Sequence, residues 1–184
     1  MKKKTVELRI PEDIFVQMEQ RDFLSQEIAT GPGENAFGGL NRALSWLVKC
    51  DCAILSGWRG SNTRKVNDEN NRTIWLTLRG FGYGVCKCRG CYPEAGKPVS
   101  TENSFFVFDP THSGSTFFER IKELSERFDQ DCFLYKEAGE KKAYLFGTNE
   151  DFGMGRRALA GELHLGSLPA ENFTRIGSGS ITFR

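Results

Sequence analysis

Apolar residues recur along this chain with two periods, and the switches between them divide it into elements. Val6, Leu8 and Ile10 alternate with Thr5, Glu7 and Arg9 as in a half-buried strand, and Pro11-Glu12-Asp13 opens a helix behind it. That helix carries Ile14, Phe15 and Met18 to about Ile28, where Gly31-Pro32-Gly33 breaks it. Phe37, Leu40, Leu44 and Leu47 then mark a second helix, and Cys52 to Ser56, stopped by Gly57, reads as a buried strand. A helix is predicted from about Asp68 to Arg79, with Ile74, Trp75 and Leu78 inward and Gly80 as its stop.

Val85 to Tyr92 alternates again, with Cys86 and Cys88 on one face and Lys87 and Arg89 on the other. Ser104 to Phe108 is continuously apolar and bounded by Asp109-Pro110, which predicts a central strand covered on both faces. Thr116 and Glu119 have the spacing of a capping box, and Phe117, Ile121, Leu124 and Phe128 form the inward stripe of the helix behind it. Cys132 to Tyr135 and Ala143 to Phe146 flank a polar loop as in a hairpin, and beyond Gly147 only Ser180 to Phe183 has strand character. The expected fold is mixed α/β (α+β): one mixed sheet of about four or five strands flanked by helices, residues 49–184, with a strand-helix-helix segment over residues 1–48.

Charge narrows the partners. The 25 Lys and Arg nearly balance 24 Asp and Glu, so binding of nucleic acid or membrane needs a local patch. No apolar run approaches the roughly 20 residues that cross a bilayer, and Met1-Lys2-Lys3-Lys4 leads into Thr5-Val6-Glu7-Leu8 rather than an apolar leader. These features predict a cytoplasmic protein with no membrane partner, whose cysteines are thiols rather than disulfides.

Those thiols are the first candidate chemistry. Cys50, Cys52, Cys88 and Cys91 could surround zinc, but alternate residues of strands share a face for packing reasons alone, so no metal and no cofactor is assigned. A cysteine nucleophile would need His112 or His164 as its base, and both lie in loop-like stretches. Gly153-Met154-Gly155-Arg156-Arg157-Ala158 fits a loose dinucleotide fingerprint without the βαβ context that gives it meaning. The N-terminal segment is similar to a ribbon-helix-helix domain, in which Thr5, Glu7 and Arg9 would read DNA from a dimeric ribbon.

A broader resemblance rests on Asp51-Cys52-Ala53-Ile54, Trp58-Arg59, Asn67, Asn71, Gly82-Tyr83-Gly84, Glu102-x-Ser104-Phe105-Phe106, Gln130-Asp131 and Ala143-Tyr144-Leu145-x-Gly147-Thr148-Asn149. In these the chain resembles a group of uncharacterised bacterial and bacteriophage proteins, departing at Asn70 and at Cys86, Cys88 and Cys91. The resemblance implies a shared fold and a phage or mobile-element setting. Arg59, Asn67, Asn71, Lys87, Glu102, Thr148 and Asn149 stand as candidate ligand residues, because most fall at element ends, where α/β proteins gather ligand contacts. The leading expectation is a non-enzymatic accessory protein that binds a nucleotide-like ligand or a host protein to counter host defence. The alternatives are a homodimeric DNA-binding regulator and an enzyme acting on a nucleotide through Glu102 and Arg59.

Overall fold

A computed structural model describes residues 46–92, 100–165, 173–176 and 179–183, all within the compact unit Asn35–Arg184. The elements are β1 (Cys52–Leu55), α1 (Arg64–Gly80), β2 (Gly84–Tyr92), β3 (Ser100–Phe108), α2 (Ser115–Arg127), β4 (Cys132–Lys136), β5 (Lys142–Gly147), β6 (Arg157–Leu165), β7 (Phe173–Ile176) and β8 (Gly179–Phe183). The strands run in the order β1-β3-β2-β7-β8-β6-β5-β4, and β4 pairs back onto β1 to close a barrel. Every ladder is antiparallel.

A single sheet flanked by helices was expected and is present, but the sheet is neither mixed nor limited to four or five strands. It has eight among the described residues, and closure gives each of them a neighbouring strand on both sides over part of its length. The added strands are β6 and β7, whose apolar positions do not alternate cleanly. Leu159 faces solvent, and a register shift between Ala143 and Tyr144 interrupts the β5–β6 ladder opposite Gly161, whose φ is 131°.

Two cores lie on the two faces of the sheet. On the outside, Ala53, Leu55, Phe105, Val107, Phe133 and Tyr135 pack beneath Ile74 and Leu78 of α1 and Phe117, Ile121 and Leu124 of α2. Inside, Cys52, Ile54, Cys88, Phe106, Leu134, Ala143 and Ile181 fill the barrel. β3 is thus covered on both faces, as its continuous apolar run predicts. Residues 46–49 form a helical turn over the end of the barrel where β1 starts: Leu47 joins the inner core and Trp46 stacks on Phe108 at 5.2 Å. The rest of the strand-helix-helix segment, with Thr5, Glu7 and Arg9, lies outside the described residues.

Both helices begin differently from expectation. The Thr63 hydroxyl accepts the Val66 N–H at 3.3 Å, so α1 starts at Arg64 rather than near Asp68. α2 starts at Ser115 behind Gly114, with no side-chain cap, so the Thr116–Glu119 capping box does not form. The buried Asp109 carboxylate instead organises the preceding turn, accepting from the backbone N–H and hydroxyl of both Thr111 and Ser113. Burial raises the affinity of that carboxyl for a proton, but these donors outweigh it and hold its pKa below the usual value.

Candidate active site at one end of the barrel

Antiparallel pairing brings the C-terminal ends of β1 and β5 together with the N-terminal ends of β3 and β4. Leu55 is opposite Phe105, Ile54 opposite Leu134, and Cys132 opposite Gly147. Five of the seven candidate residues join one hydrogen-bonded network at this mouth. Asn67 grips the backbone of Arg59 at both ends: its Oδ1 accepts the Arg59 N–H and its Nδ2 donates to the Arg59 carbonyl, each at 3.0 Å. Asn71 accepts the Gly57 N–H at 2.8 Å and donates to the Asn103 carbonyl at 3.3 Å. The Thr148 hydroxyl donates to the Gln130 carbonyl at 2.6 Å, and the Asn149 amide donates to Asp131 at 2.8 Å.

Arg59 closes the network. Its guanidinium hydrogen-bonds Asp131 and lies 3.5 Å from Asp129 and 3.6 Å from Asp151. Burial opposes its charge, but Asp131, by hydrogen bond and by charge, outweighs that together with Asp129 and Asp151, and the guanidinium pKa is raised. With its side chain only 21% exposed and three carboxylates around it, Arg59 ties together the loops after β1, before β4 and after β5.

The loop after β5 is held by Gly147. A Cβ there would stand 2.0 Å from the Gly153 carbonyl oxygen, because the chain curls back to pair Gly147 with Arg156 and Gly155. Asn149 Oδ1 caps this turn by accepting the N–H groups of Asp151 and Phe152. Gly153 and Gly155, with φ of 99° and 71°, belong to the same turn rather than to a dinucleotide loop.

Glu102 shares the inner face of β3 with Ser104 and Phe106 and is half-buried at this mouth. Cys132, on the inner face of β4, is close enough to feel its charge. Burial first, then Asp131 and Glu102, push that thiol up to about 11. Lys87 is not part of the arrangement, being exposed on the outer face of β2 in register with Phe105. Asp129, Asp131, Asp151, Ser56 and Asn103 were not anticipated as site residues, although Gln130-Asp131 carried part of the resemblance.

Three other thiols are structural. Cys50, Cys52 and Cys88 are buried and free, with burial pushing the Cys88 thiol up to about 12, so they are neutral and unreactive. Among the described residues no three His, Cys, Asp or Glu side chains are grouped to hold a metal ion. His112 sits exposed in the Asp109 turn with φ of 53°. No described helix is long and apolar enough to cross a membrane.

Comparison with protein-family models matches residues 53–181 to the S-adenosylmethionine lyase family. The chain belongs to this family. The matched span contains all seven candidate ligand residues and leaves Thr5, Glu7 and Arg9 outside it. A lyase family is a family of enzymes, which overturns the expectation of a non-enzymatic accessory protein countering host defence. The alternative of an enzyme acting on a nucleotide agrees better with this membership. A search of curated proteins finds no match.

Proposed function

We propose that this chain cleaves S-adenosylmethionine at the Glu102 mouth of the barrel. The substrate is an adenosine joined through a sulfonium to an amino-acid chain. A lyase breaks its carbon–sulfur bond without water and without a redox partner. The electron pair of that bond goes to sulfur, which leaves as a neutral thioether, and the carbon fragment completes itself by an internal bond or by losing a proton. Such a leaving group needs no metal and no protein nucleophile. The protein's tasks are to hold the cation, orient it and keep water away.

The observation that carries this reading is the charge of the mouth. Around one guanidinium, Arg59, stand the carboxylates of Asp129, Asp131 and Asp151, and Glu102 is near enough to Cys132 to raise its pKa, so carboxylates outnumber that guanidinium and make the field there negative, in a chain whose formal net charge is +1. A local field of that sign favours a cationic substrate over a phosphorylated one. Glu102 is assigned to gripping and orienting the substrate, because it is the half-buried carboxylate on the inner face.

The test is incubation of purified protein with S-adenosylmethionine in ¹⁸O-labelled water. The expected result is release of the thioether, with no ¹⁸O in the first-formed carbon fragment. Incorporation of one solvent oxygen into that fragment, matching turnover, would identify a hydrolase instead.

A further inference from the structure

β1 ends at Leu55, opposite Phe105, whereas β3 continues outward to Ser100. Glu102 and Asn103 therefore extend past the last residue of β1 and, among the described residues, have their strand neighbours on the β2 side, where Glu102 faces Gly90 and Asn103 faces Arg89. A strand edge so exposed would be free to splay, and its carbonyls would need other partners.

Two side chains take the place of the missing strand. The Ser56 hydroxyl donates to the Asn103 carbonyl at 2.9 Å, and Asn71 Nδ2 donates to the same oxygen at 3.3 Å. Both donors are themselves fixed. The Ser56 oxygen also accepts the Trp58 N–H at 3.0 Å, and Asn71 Oδ1 accepts the Gly57 N–H at 2.8 Å. Ser56 is 5% exposed and Asn71 8%, so neither bond competes freely with water. Asn71 lies on the same buried face of α1 as Ile74 and Leu78, which anchor that helix in the outer core.

We infer that Asn71 and Ser56 are positioning residues for Glu102: they fix the carbonyl of the residue that follows it and so hold its carboxylate in the mouth. This rests on the assignment of Glu102 to the substrate. Because the pair does not touch the substrate, its loss displaces the carboxylate without removing it, and displacements of about 1 Å cost on the order of 10²-fold in rate.

The experiment compares wild type, Asn71→Asp and Ser56→Ala in S-adenosylmethionine cleavage, with kcat and KM measured separately below the melting transition. Asn71→Asp keeps the acceptor for Gly57 and exchanges the donor to Asn103 for a carboxylate oxygen, which repels that carbonyl. Ser56→Ala removes the other donor, together with the acceptor for the Trp58 N–H, and leaves the helix untouched. The expected result is a fall in kcat of about 10-fold or more in each variant, with KM changed less than kcat. A Glu102→Gln background should then show no further loss. A merely structural role would lower the melting temperature and leave kcat intact, and that outcome in both variants overturns the inference. Full activity of Glu102→Gln would overturn the assignment of Glu102 itself, and the inference with it.

Discussion

The two ends of the barrel bury polar groups in opposite ways. At the end covered by residues 46–49, Lys136 is 1% exposed, and its ammonium donates to the Glu137 carbonyl at 2.6 Å beside Cys52 and Asp51. Asp109, at the same end, is enclosed by four donors from two residues. These charges are enclosed by neighbouring donors, acceptors and the Asp51 carboxylate, which accepts the Ala138 N–H at 2.7 Å, and they serve the fold. At the mouth the partners come from far along the chain: Arg59 meets Asp131 across 72 residues, and Asn71 meets Asn103 across 32. Three carboxylates surround the Arg59 guanidinium there, and Asp129 and Asp151 remain 73% and 75% exposed. Charges enclosed and satisfied together mark structure, while exposed carboxylates gathered around a guanidinium at a strand end mark the working surface.

The contrast is broken or upheld first by activity. Glu102→Gln should lower kcat/KM for S-adenosylmethionine by about 10²-fold or more, whereas Lys136→Met at the opposite end should leave it unchanged. Equal losses in the two would erase the distinction. Stability comes next. Gly147→Ala forces a Cβ into the Gly153 carbonyl, and the denaturant midpoint should fall by the equivalent of about 1–3 kcal/mol. No change there would mean that the loop after β5 is not held as described.

The smallest effect is at Lys136. Burial lowers its pKa from the ordinary 10.5 despite the opposing charge of Asp51. The folded state thus binds this proton more weakly than the unfolded one, and the buried ammonium costs stability at neutral pH. That cost fades as pH rises through the folded pKa towards 10.5. Lys136→Met should therefore be more stable than wild type by about 1 kcal/mol near pH 7. The advantage should shrink as pH rises to 10.5, and a difference that stays constant over that range would rule out titration of Lys136 as its cause.

Much of the fold could be read from local pattern. The run Ser104 to Phe108 announced a strand with two covered faces, and the stripe Phe117, Ile121, Leu124 and Phe128 announced α2, because burial on one side imposes a period that the chain carries visibly. Closure could not be read, since β6 is interrupted by Gly161 and by the outward Leu159, and β7 has only four residues. The candidate residues were found because they lie at element ends, yet their roles depend on who meets them. Nothing local to Arg59 reveals that three aspartates from two distant loops surround it. Lys87 was included for its charge, although the alternation that buries Cys88 sends it to the outer face.

The account places the substrate in the mouth beside Glu102, and Cys132 reports on that place directly. Its thiol is half-buried on the inner face of β4 and titrates near 11, so alkylation by iodoacetamide at pH 9 should be slow but measurable. Saturating S-adenosylmethionine should slow the labelling of Cys132 at least several-fold, as read by mass spectrometry of the Cys132 peptide. Labelling at an unchanged rate, under conditions where the protein is saturated and turning over, would contradict the account.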